Sequence, residues 1–306
     1  MARVHPIALA LLVTACTAEV EESAVEDPWE EVPLTGVVRS YEIEVGDGEW
    51  RVVRDDGAVL AEFEGYHLND QFIGPTLIAE LGDTIEVTLV NGGDEPIGLQ
   101  PHGLHYDVEN GGRDRQAAPG EEITFTWYAT EGAGTFFYNA TNLDVQYFDH
   151  QALSGVLGLI VVEDPAERDL YQPDRMFNYV MLDLYEPGIT FNWDILNPAD
   201  EVHNFTLIPQ VVEEGVTSTQ PDMLIIGERD EVVRVNVLSY GEMYHVLHME
   251  GHSWRDPHTG ETADTWGGAA AESGHFYVKL DNPGTWRVGS NVDDRRMYMT
   301  SYLLVP

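Results

Sequence analysis

Gly82-Asp83-Thr84-Ile85-Glu86-Val87-Thr88-Leu89-Val90 decides the fold of this chain. Ile85, Val87 and Leu89 alternate with Thr84, Glu86 and Thr88, the period-2 pattern of a strand with one buried face. The stretch has an echo in Gly227-Glu228-Arg229-Asp230-Glu231-Val232-Val233-Arg234-Val235. A histidine-bearing segment follows each copy: Pro101-His102-Gly103 after the first, His245 to His252 after the second. Next comes a strand ending in an aromatic residue, Gly134-Thr135-Phe136-Phe137 and then Gly284-Thr285-Trp286. Matching points lie about 145–150 residues apart, a period that means duplicated domains rather than a solenoid. The repeat predicts domains at 34–165 and 166–306, with the boundary near Glu163-Asp164-Pro165.

The surrounding sequence reads the same way. Ile123, Phe125 and Trp127 alternate with Thr124 and Thr126, a second half-buried strand. Val156 to Val162 is a continuous apolar run, as in a strand buried on both sides. Asn91-Gly92-Gly93-Asp94, Pro119-Gly120 and Asn282-Pro283-Gly284 are turn signals between such runs. No long helical stripe occurs, so the class is all-β, built from sandwiches.

The chain has 306 residues, enough for two domains that each bury a core. Its 54 acidic residues against 15 basic ones give a net charge of −39, and Lys279 is the only lysine. That charge repels phosphate and excludes nucleic acid as a partner. Two accounts of the acidity stand: a surface adapted to salt, where screening weakens self-repulsion, and a surface that attracts cations. The single cysteine, Cys16, excludes an internal disulfide. Arg3, an apolar run from Ile7 to Val13, and Val13-Thr14-Ala15-Cys16 together fit a bacterial lipobox, in which Cys16 is acylated and becomes the first residue. Residues 1–16 are therefore expected to be a lipoprotein signal peptide and 17–33 an acidic tether. The protein is expected to be exported and held at the bacterial cell envelope, in the periplasm or at the cell surface, touching membrane only through its lipid.

Three pieces in order make a resemblance specific. Gly74-Pro75-Thr76-Leu77 with Pro101-His102-Gly103-Leu104 resembles the first domain of multicopper oxidases. His245-Val246-Leu247-His248-Met249-Glu250-Gly251-His252-Ser253-Trp254 resembles that family's His-x-x-His-x-His-Gly-His segment. Asn282-Pro283-Gly284-Thr285-Trp286 resembles the strand that leads into its closing motif. Residues 35–306 are covered, and the ceruloplasmin-like and two-domain laccase-like branches are the nearest. The resemblance implies two tandem cupredoxin-like Greek-key β-sandwich domains. It also implies copper: a mononuclear site of one thiolate and two imidazoles, and a trinuclear cluster held by eight histidines.

Carried over residue by residue, most of those ligands are replaced. The first His-x-His pair falls on Gln100 and His102, and the second on Asn139 and Thr141. The third segment keeps His245 and His248 but has Glu250 where a third histidine belongs. The closing His-Cys-His-x-x-x-His motif reads Gly289-Ser290-Asn291-Val292-Asp293-Asp294-Arg295, and Met299 lies near the axial position. A serine hydroxyl at Ser290 is a hard, protonated donor and cannot stand in for thiolate.

His102, His248 and Glu250 are the expected residual site for one copper or zinc ion, with His245 as a further candidate and His105 as an extra donor. On a strand, His248, Glu250 and His252 share one face and His245 points the other way. The same histidines also read as relics hydrogen-bonded in a core without metal. His150, His203, His258 and His275 lack a pairing pattern. The expected cofactor is at most one copper ion per chain, with the family's oxidase activity lost. An oxidoreductase using a remodelled His/Glu copper site and a metal-free interaction scaffold remain as alternatives. Head-to-tail packing of first domain on second domain, as in two-domain relatives, implies a homotrimer.

Overall fold

The computed structural model describes residues 32–53, 59–141, 150–184, 204–220, 223–241, 244–256, 259–289 and 299–306. Cys16 and the lipobox, most of the tether, His203, His258 and the closing segment 290–298 lie outside them. Among the described residues no helix is long and apolar enough to cross a membrane.

The first domain has eight strands: β1 (Val38–Val53), β2 (Val59–Leu68), β3 (Leu77–Glu80), β4 (Thr84–Asn91), β5 (Leu99–Pro101), β6 (Glu122–Tyr128), β7 (Gly134–Ala140) and β8 (Leu157–Glu163). A short helix, α1 (His150–Leu153), precedes β8, and α2 (Pro165–Tyr171) leads out of it. Then come β9 (Arg175–Leu184), β10 (Asn204–Glu213), β11 (Val216–Thr219), β12 (Leu224–Ile226), β13 (Val232–Tyr240) and β14 (His245–Met249). After these follow β15 (Trp254–Arg255), β16 (Thr262–Ala263), β17 (Thr265–Gly268), β18 (Glu272–Lys279), β19 (Gly284–Gly289) and β20 (Thr300–Val305).

The sheets repeat. The first sandwich has sheets ordered β2-β1-β4-β6 and β3-β8-β7-β5. The second has β11-β10-β9-β13-β18 and β12-β20-β19-β14-β17, the same order with an added edge strand on each sheet. Parallel pairs recur at matching places: β1 with β4 and β3 with β8, then β9 with β13 and β12 with β20. The two stretches that announce the repeat are the loop and strand of β4 and of β13, which hold the same position in their sheets. The fold is two tandem cupredoxin-like Greek-key sandwiches.

Side-chain alternation sets each core. Ile85, Val87 and Leu89 of β4 are fully buried between half-exposed neighbours, as their spacing predicts. With Phe125, Trp127, Ile160 and Val162 they form the first core. Val233, Val235 and Val237 of β13 sit in the second, with Phe177, Leu247 and Met299.

The apolar run of β8 has a specific cause. Ile160 and Val162 face the first core, whereas Leu157 and Leu159 face out of it. That outward face joins Val180, Leu182, Leu238 and Tyr240 of the second domain in a separate cluster. Both faces of the strand are dry because a second domain covers one of them.

A smaller apolar cluster joins Val161 of the first domain to Met176 and Val212 of the second, and polar bonds lie beside it. Thr135 Oγ1 donates to Asn236 Oδ1 at 2.7 Å, and Asn178 Nδ2 donates to Thr76 Oγ1 at 2.8 Å. Arg234, 2% exposed, donates to Asn236 Oδ1 at 3.0 Å and to the Tyr277 hydroxyl at 3.3 Å. α2 adds a stack of Tyr171 on Tyr277, 4.1 Å between centroids, and a hydrogen bond between His275 Nε2 and Glu167 Oε2 at 3.1 Å.

Candidate functional site

The segment holding His102 is built by a tight turn after β5. Gly103 has φ +73°, and a Cβ there would lie 2.1 Å from the Phe136 ring. The second domain repeats the device: Gly251 has φ +72°, and a Cβ there would meet the Trp286 ring at 2.5 Å. Phe136 and Trp286 are the aromatic residues that close the repeated strands, so glycine and aromatic form one matched unit in each half.

His102 lies flat on Phe137, with centroids 4.1 Å apart and planes 14° apart. Its Nε2 bonds Asn139 Oδ1 at 2.9 Å. Asn139 is on β7, opposite Gln100 of β5 in the register, so the two amides that replace expected histidines are neighbours. Asn139 Nδ2 then donates to the Tyr240 hydroxyl at 2.8 Å, across to the second domain. Gln100 Nε2 donates to the Tyr106 hydroxyl at 3.1 Å. Burial holds the His102 imidazole below its ordinary pKa, and the bond to Asn139 offsets part of that shift.

The second segment is split by its own geometry. On β14, His245, Leu247 and Met249 point inward and His248 points outward, as the strand period requires. His245 is fully buried. His248 Nδ1 lies 3.0 Å from the Asp264 carbonyl oxygen and 3.3 Å from Thr265 Oγ1. A carbonyl only accepts, so Nδ1 carries the hydrogen, and in the neutral ring Nε2 keeps the lone pair. Glu250 follows at the strand end, where its N–H donates to the Arg287 carbonyl at 3.0 Å.

The expectation that His252 shares the face of His248 and Glu250 is corrected here. The strand ends at Met249, and the left-handed Gly251 turns the chain. His252 is 6% exposed, edge-on to Trp286 with centroids 5.9 Å apart, and its Nδ1 bonds the Glu250 carbonyl at 3.1 Å.

Within one chain His102, His248 and Glu250 are not gathered: among the described residues no three His, Cys, Asp or Glu come together to hold a metal. His105 is exposed and lies 3.6 Å from Glu131. Met299 is fully buried in the second core, and Gly289 pairs with His248 in the ladder. Ser290, Asn291 and Arg295 fall outside the described residues, as does the side chain of His150. Sequence reasoning missed Tyr240, Phe137 and Asp264. No local signal marks them, because each acts on its histidine from another strand or from a turn.

The topology and the repeated histidine segments define a two-domain cupredoxin protein. Residues 54–167 match the family model described as multicopper oxidase. A multicopper oxidase of Cercospora beticola is 29% identical over 242 residues, covering 71% of this chain and 36% of that protein. Coagulation factor V of Mus musculus is 31% identical over 111 residues, 31% of this chain and 5% of that one. The chain thus spans about a third or less of these relatives. A solved multicopper oxidase structure superposes with a TM-score of 0.67 over 92% of this chain and 94% of its own, at 18% identity. Residues 54–167 thus match a multicopper oxidase domain, and the chain as a whole has the two-domain cupredoxin fold.

The family binds copper, and the residues at the positions that the resemblance assigns to its trinuclear cluster are a poor fit for it. Amides stand at Gln100 and Asn139, and a neutral amide oxygen is a poor partner for copper beside imidazole. The surviving His102 has its Nε2 engaged by one of those amides.

Proposed function

We propose that this protein is an exported member of the family that holds at most one metal ion per chain and lacks the four-copper oxidase chemistry. One observation carries the reading: of the two surviving cluster histidines, His102 has Nε2 bonded to Asn139, while His248 alone presents a ring nitrogen in ligand form. A ligating histidine commonly donates its other N–H to a carbonyl, as His248 does to Asp264. His248, with Glu250 beside it, is the place for a single copper ion. His245 lies buried on the opposite face, in the second core. In the proposed head-to-tail homotrimer no metal bridges the subunits, and assembly rests on packing alone.

The test is elemental analysis after reconstitution with copper and with zinc, together with an absorption spectrum and oxygen uptake with a phenolic or ferrous donor. The expected result is one ion or none per chain, no intense blue band and no oxygen reduction. Intense blue colour arises from copper–thiolate, and Ser290 holds the thiolate position. Three or more tightly bound coppers would sink the proposal. The export half rests on Cys16, and Cys16→Ser should abolish lipid attachment and processing.

A further inference from the structure

Asn139 is 7% exposed and has both ends of its carboxamide engaged. Its nitrogen donates to the Tyr240 hydroxyl, which turns its oxygen toward His102. An amide oxygen can only accept, so the hydrogen between them belongs to His102 Nε2. The stack on Phe137 fixes the ring plane, and the Gly103 turn fixes the backbone that carries it. Tyr240 is 6% exposed and also packs edge-on to Phe137, with centroids 5.7 Å apart, so the chain of three groups is clamped from one side by a single aromatic ring.

We infer that Asn139 takes His102 out of the ligand set: its carboxamide links His102 in the first domain to Tyr240 in the second, and His102 Nε2 is a fixed hydrogen donor rather than a ligand. The two domains of one chain are then held here by protein groups alone, and their docking is blind to metal. This deepens the metal-poor reading proposed above, because it says why a surviving histidine does not take up copper.

The test uses the full chain labelled with 15N at histidine, with zinc as a diamagnetic probe. His102 signals are assigned by their loss in His102→Gln. At neutral pH His102 should show a single tautomer, protonated at Nε2, and one equivalent of zinc should leave that nitrogen unshifted. Asn139→Leu, which keeps the side-chain volume and removes both bonds, should abolish the single-tautomer signature. If that variant does not fold, the wild-type spectra decide alone. An Nδ1–H tautomer, or a zinc-induced shift of His102 Nε2, overturns the inference. The two readings fail separately. Several bound coppers with His102 Nε2 unmoved would defeat the metal count and leave the amide bridge standing. Zinc on Nε2 at one ion per chain would do the reverse.

Discussion

Leu159→Ala tests whether the outer face of β8 is an interface. The side chain is fully buried, yet it belongs to the cluster shared with Val180, Leu182, Leu238 and Tyr240 rather than to the first core. Truncation removes about three methylene equivalents, worth ~0.8 kcal/mol each and ~2.4 kcal/mol together. The cavity left between two rigid sheets adds to this, for a total of about 2–5 kcal/mol. Ile160→Ala, one residue on and equally buried in the first core, should cost a similar amount by the same arithmetic. The two differ in their partners. In urea unfolding, a double-mutant cycle of Leu159→Ala with Leu238→Ala should show a coupling of about 0.5 kcal/mol or more, because the two cavities merge. Ile160→Ala with Leu238→Ala should add to within about 0.5 kcal/mol, since those residues sit in different clusters. A Leu159→Ala cost below about 0.5 kcal/mol, the range of a surface position, would refute the interface. So would full additivity with Leu238→Ala.

Other outcomes follow from single contacts. The pair Gln100→His and Asn139→His sets two imidazoles opposite each other on paired strands beside His102 in the turn that follows, and calorimetric titration should show one more copper or zinc ion per chain than wild type. Gly103→Ala should cost about 1–2 kcal/mol for the left-handed backbone and more for the clash with Phe136, whereas Gly120→Ala, at φ +79° with open space around it, should cost only the backbone share. The hydrogen bond from His275 holds Glu167 below the usual carboxylate range. Its stabilisation is therefore fully present above the ordinary glutamate pKa and is lost as pH falls through the lowered folded value. His275→Ala should flatten that part of the acid-unfolding profile, and an unchanged profile would count against the pair. Light scattering on the soluble domains at moderate salt should give a trimer mass, and a monomer mass at all concentrations would remove the homotrimer.

The sequence by itself determined the sandwich class and the duplication. Those are readable because strand burial has a local period: Ile85, Val87 and Leu89 announce their inward face whatever lies beyond it. The left-handed turns at Gly103 and Gly251 were not legible, because the Phe136 and Trp286 rings that crowd them come from later strands. The apolar run Val156 to Val162 declared two dry faces but not what dries the second one, since that needs the other domain in place. His252 was assigned to the wrong face because a period-2 count continues past Met249, while the left-handed turn at Gly251 does not. Above all, the state of His102 was beyond the sequence. Its amide partner is 37 residues away and the tyrosine beyond that is a further 101. Whether a histidine nitrogen meets a metal or an amide depends on which strands are neighbours, and only the tertiary structure makes them so.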